Sequence, residues 1–79
     1  MLEDVSIFPT RTSSEVNLSL SGNIKYMVHI YDIAGNLVRA LTDVSGYHQV
    51  NFDNLHKGLY IITITSMMGV KKVVKVIKE

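Results

Sequence analysis

Apolar residues in this chain recur at every second position in short runs, and nowhere at the 3.6-residue spacing of a helix over 11 or more positions, so strands must build the fold. Glycine and polar clusters cut the sequence into about seven segments, most of them rich in Val, Ile, Tyr and Thr. They run from Val5 to Phe8, Glu15 to Leu20, Lys25 to Asp32, Asn36 to Thr42, Tyr47 to Phe52, Leu59 to Ser66 and Val70 to Lys78. The class is all-β.

The alternation also assigns faces. Val16, Leu18 and Leu20 oppose Glu15, Asn17 and Ser19, and Val28 and Ile30 oppose Met27, His29 and Tyr31. On the sixth segment Tyr60, Ile62 and Ile64 form one face, while Ile61 and two threonines form the other. A strand so apolar on both sides suits the middle of a sheet. Tyr60, Ile62 and Val28 are therefore expected in the core.

The connections carry turn chemistry. Asp32-Ile33-Ala34-Gly35 has Asp at the first and Gly at the fourth position of a type I turn, with Gly35 free to take positive φ. Ser66-Met67-Met68-Gly69 repeats the form, and Leu55-His56-Lys57-Gly58 follows it loosely. Short strands with turns every 8 to 12 residues or so predict two antiparallel sheets packed face to face, an immunoglobulin-like sandwich of about seven strands. With 79 residues there is room for a single domain, residues 1–79, in which 1–4 read as linker or an artificial start.

Composition removes several function classes. Eight Lys plus Arg against seven Asp plus Glu leave a net charge of +1, too little to gather nucleic acid or an anionic membrane. There is no cysteine, hence no disulfide, thiolate metal site or thiol nucleophile. No apolar run approaches the roughly 20 residues that span a bilayer, and the first residues lack the pattern of a signal peptide. An export signal, if the protein uses one, is expected elsewhere.

Catalytic and cofactor constellations are equally hard to assemble. His29, His48 and His56 fall on separate segments without metal-ligand spacing, the first two read as solvent-facing strand residues and the third as a loop residue. The carboxylates are scattered, and Asp32 and Asp53 border turns where such groups accept local N–H bonds. Thr12-Ser13-Ser14 has no neighbouring base. The reading is a non-enzyme with no cofactor and no metal. The densest charge lies in Lys71, Lys72, Lys75 and Lys78, interleaved with Val and Ile, which on an edge strand would block random pairing.

Four elements, in this order, resemble the type A C-terminal sorting domain of proteins that Bacteroidetes export through the type IX (Por) secretion system. Val5-Ser6-Ile7-Phe8-Pro9-Thr10-Arg11 stands where the family has a strand and a Tyr-Pro-Asn-Pro element, keeping Pro9 alone of the two prolines. Tyr31-Asp32-Ile33-Ala34-Gly35-Asn36-Leu37-Val38 matches its Tyr-Asp-x-x-Gly-Arg-Leu-Val hairpin, with Asn36 for Arg. Leu55-His56-Lys57-Gly58-Leu59-Tyr60 matches Leu-x-x-Gly-x-Tyr, and Lys71-Lys72-Val73-Val74-Lys75-Val76-Ile77-Lys78-Glu79 matches the basic closing strand.

The resemblance implies a sorting signal for an attached N-terminal cargo domain. It would fold in the periplasm, be recognised by the outer-membrane translocon and be removed by a sortase-like peptidase, leaving cargo at the cell surface or outside the cell. It makes Lys71, Lys72, Lys75, Val76, Ile77, Lys78 and Glu79 the expected recognition strand, and Pro9, Asp32, Gly35, Leu55, Gly58 and Tyr60 the motif turns. A terminal edge strand would also let two copies pair weakly. The alternative is an immunoglobulin-like spacer, or an adhesion or glycan-binding module, of a larger surface protein. The two differ in position, since a sorting signal closes its parent chain, and the end at Glu79 favours the first.

Overall fold

The computed structural model describes residues 5–20, 24–66, 69 and 71–79, with Lys71 described by its backbone alone. Eight strands follow one another: β1 (Ser6–Phe8), β2 (Arg11–Thr12), β3 (Glu15–Leu20), β4 (Tyr26–Asp32), β5 (Leu37–Val44), β6 (Gly46–Asn51), β7 (Gly58–Ser66) and β8 (Lys71–Lys78). Seven are the expected strands, moved by a residue or two at their ends. Val70, expected to open the last of them, lies outside the described residues, as do Met67, Met68 and residues 1–4.

The strands form two sheets, one ordered β1-β3-β6 and the other β2-β8-β7-β4-β5. Their inner faces meet in one core that contains Val16, Leu18, Val28, Ile30, Phe52, Ile62, Ile64 and Val76, all fully buried. The alternation read from the sequence therefore points the correct way on β3, β4 and β7, and Tyr60 is buried as well. β7 lies in the middle of the larger sheet, where its second face, Ile61, Thr63 and Thr65, is half-buried.

Two expectations need correction. His48 sits opposite Leu18 in the β3–β6 pairing, so it is on the core side of an edge strand and half-buried, not on the solvent face. The alternation of β6 is too weak to assign, because Gly46 and His48 occupy inward positions that Val or Leu would otherwise mark.

The terminal strand is likewise not the edge of its sheet. After the cis Phe8–Pro9 bond the chain crosses from the small sheet to the large one, and β2 pairs in parallel with the end of β8. The Ile77 N–H donates to the Thr10 carbonyl at 2.8 Å and the Glu79 N–H to the Thr12 carbonyl at 2.7 Å. β2 covers only the end of β8, from Ile77 to Glu79, so among the described residues Lys71 to Val76 pair on the β7 side alone. The opposite edge, β5, is interrupted by two register shifts and by Asp43 at φ 57°, irregularities that make it a poor template for pairing.

Candidate recognition site

The register of β8 against β7 divides the terminal residues between two faces. Val76 lies opposite Tyr60 and Val74 opposite Ile62, so both turn inward, and Lys72 and Lys78 share that side. Two lysines thus have structural partners: Lys72 donates from Nζ to the Val5 carbonyl at 2.8 Å, and Lys78 to the Leu55 carbonyl at 3.4 Å. Lys78 is only 8% exposed, its methylene stem covering the core margin while its head meets a carbonyl. What the strand shows to solvent is Val73, Lys75, Ile77 and Glu79. Sequence patterning alone leaves this open, because Val and Ile occur in both registers.

The motif turns converge at the end of the sandwich opposite Val5. Asp32 to Gly35 closes the β4–β5 hairpin: the Gly35 N–H donates to the Asp32 carbonyl at 3.0 Å, with Gly35 at φ 90° as expected. The Asp32 carboxylate accepts from the Ala34 N–H at 3.0 Å and the Asn36 N–H at 2.9 Å, and from the Asn36 side chain at 3.3 Å. The Asn36 backbone N–H is the main reason that the Asp32 carboxyl titrates below its ordinary value near 3.8; partial desolvation opposes the shift, and the Asn36 side chain and the Ala34 and Gly35 N–H groups add to it. Asn36, a departure from the family's Arg, thus has a local role.

Beside this turn lies the loop from Leu55 to Gly58. The buried Tyr60 hydroxyl donates to the His56 carbonyl at 2.7 Å, and the Tyr60 ring meets Phe52 edge-on at 5.5 Å. Leu55 accepts Lys78, and Gly58 enters β7 at φ 147°. The Leu-x-x-Gly-x-Tyr residues therefore tie the loop to the last strand and the core. Between turn and loop is an open cleft of about 210 Å³, lined by Ile33, Ala34, His56, Lys57 and Leu59 among others.

Pro9 is exposed at the crossing that leads into β2, and the unexpected Arg11 forms an ion pair with Glu79 at 2.8 Å. A two-residue strand is too short to give a periodic signal, which is why β2 is illegible in the sequence.

Among the described residues no group of three or more His, Asp or Glu side chains could hold a metal, and no helix is long and apolar enough to cross a membrane. The cleft at the convergent end is open, and the outward side of β8 faces solvent.

Comparison with known proteins gives a match to the family described as secretion system C-terminal sorting domain, over residues 6–79. The chain is also similar in structure to a DUF3244 family protein from Bacteroides vulgatus with an immunoglobulin-like β-sandwich fold, at a TM-score of 0.86 and 20% identity, covering 96% of this chain and 85% of the other. At that identity the likeness bears on the fold alone. A search of curated proteins finds no match.

Proposed function

Because this chain belongs to the secretion system C-terminal sorting domains, we propose that it directs an attached N-terminal cargo to the type IX outer-membrane translocon through its convergent end and the outward side of β8. The family is one of sorting signals rather than enzymes, and it makes the protein a secreted one. The observation that carries the reading is the family match over residues 6–79, which takes in the closing strand, the two middle motifs and all of the first element but Val5. The immunoglobulin-like fold is consistent with it but would equally suit a spacer.

In this reading Lys75, Ile77 and Glu79 contact the machinery directly, because they face solvent. Val76, Lys72 and Lys78 act by holding the strand in place, from inside. The motif turns act in the same indirect way, with Asp32, Gly35, Leu55, Gly58 and Tyr60 shaping the end from which β8 is presented. After transit through the periplasm, a sortase-like peptidase separates the cargo from the domain, leaving the cargo at the surface or in the medium.

The test is a fusion of the chain to the C-terminus of a periplasmic reporter in a type IX host. The expected result is reporter at the cell surface or in the medium, with a mass lacking the domain. Reporter retained in the periplasm, while a native cargo of the same host is exported, would overturn the proposal.

A further inference from the structure

The outer face of the five-stranded sheet is apolar where a solvated face would be polar. Cross-strand register places Leu37, Tyr31, Ile61 and Lys75 in one row and Ala40, His29, Thr63 and Val73 in the next, with Leu59 and Ile77 paired beyond the first. Val73 is 55% exposed and Leu37 51%. The His29 and Tyr31 rings stack at 6.4 Å in the middle of this surface. Exposed apolar side chains gathered on one sheet face, as Leu37, Val73 and Ile77 are here, mark a contact with another molecule.

Its charge is one-sided. Lys75 stands in the central row and, among the described residues, has no ion pair. The carboxylate at the end of β8, Glu79, is neutralised by Arg11, and Asp43 lies at the irregular edge strand β5, separated from β8 by β7 and β4. The face thus offers hydrophobic area around a free cation.

We infer that this face docks a polypeptide partner whose apolar side chains are bordered by carboxylates. The inference rests on the sorting reading and extends it from the terminal strand to a whole sheet face. A lipid surface is the weaker fit, because such surfaces are bound by clusters of several lysines, and among the described side chains of this face Lys75 is the one lysine. A second copy is weaker too, since a two-fold contact would set this cationic row against itself.

The test uses the reporter fusion with Leu37→Ser, Val73→Thr and Lys75→Glu, beside Lys75→Arg and, on the outside of the small sheet, Gln49→Lys. Lys75→Glu is expected to lower export roughly tenfold through like-charge repulsion at the interface. Leu37→Ser and Val73→Thr should lower it several-fold, while Lys75→Arg and Gln49→Lys export as the parent and all five melt with the parent. Undiminished export of the three face variants, in a host where the reporter without the chain stays in the periplasm, overturns the inference and spares the sorting reading. Export of the reporter without the chain overturns both. Equal loss with Gln49→Lys, a dimer that Val73→Thr dissolves, or binding to phosphatidylglycerol vesicles abolished by Lys75→Glu would each name a different cause and overturn it as well.

Discussion

On the outside of the small sheet, Glu15, Asn17 and Ser19 lie opposite Asn51, Gln49 and Tyr47, and Asn17 accepts hydrogen bonds from the Tyr47 hydroxyl at 2.8 Å and the Gln49 amide at 3.1 Å. On the outside of the large sheet the matching positions hold Tyr31, Ile61, Val73 and Ile77, with Met27 and Leu37 exposed beside them. Both faces lie over the same core and alternate with it in the same way. Alternation therefore decides which residues point outward but not what the outward face is for. Apart from Phe8 and the Tyr47 ring the small-sheet face is polar, with side chains that bond one another, whereas the large-sheet face gathers most of its exposed apolar groups across four strands.

Removing what the two faces share should have the largest effect. Ile62→Ala leaves a cavity under the middle of the large sheet and should cost about 3 kcal/mol, abolishing export by unfolding. A thermal midpoint near that of the parent would show that the faces of β7 are assigned wrongly. Lys78→Glu comes next, at about 2 kcal/mol, because it sets a carboxylate against the Leu55 carbonyl in a buried site. Lys78→Met should lose less, since the stem keeps its packing. Equal melting of Lys78→Glu and Lys75→Glu would contradict the division of lysines between inside and outside. Deleting Lys75 to Glu79 is a poor probe of recognition for the same reason, as it removes buried Val76 and the partner of β2.

Gly35→Val should cost about 1 to 2 kcal/mol by forcing a β-branched residue to φ 90° in an otherwise open site. Tyr47→Ser on the polar face should change stability by less than about 0.5 kcal/mol and leave export intact. Loss of export there would remove the difference between the two faces. The smallest effect is expected from Asp32→Ala. The Asp32 carboxyl titrates lower in the folded chain than in the unfolded one, so its contribution is present above about pH 3.8 and fades as pH falls through its folded-state value. The gap in melting between the parent and Asp32→Ala should accordingly narrow in acid; a gap that widens would contradict the hydrogen bonds drawn to that carboxylate.

The sequence made the sandwich legible because burial and strand period are locally coupled: Val16, Leu18, Val28, Ile30, Tyr60, Ile62 and Ile64 all lie where alternation puts them. The turn at Asp32 to Gly35 was equally readable, since Asp and Gly at those positions have a local chemical reason. What stayed hidden depends on residues distant in the chain. β2 exists only by pairing with Ile77 and Lys78, and the inward turn of Lys78 depends on the loop carbonyl of Leu55. The apolar face arises only when β4, β5, β7 and β8 are set side by side, each contributing residues that look unremarkable singly. A signal was present nonetheless in Ile61, and in Val73 and Ile77, apolar residues at positions that one-sided strands leave polar.

The most direct measurement exploits the absence of cysteine from the chain. A single thiol is introduced as Val73→Cys on the large sheet or Tyr47→Cys on the small one, and maleimide labelling is followed in the free domain and in a cargo fusion stalled during export. Both positions are exposed, so both thiols should label readily in the free domain. In the stalled fusion the thiol of Val73→Cys should become protected while that of Tyr47→Cys stays reactive. Equal labelling of the two, or protection of the small-sheet thiol alone, would contradict the claim that the large sheet's outer face is the surface the secretion machinery reads.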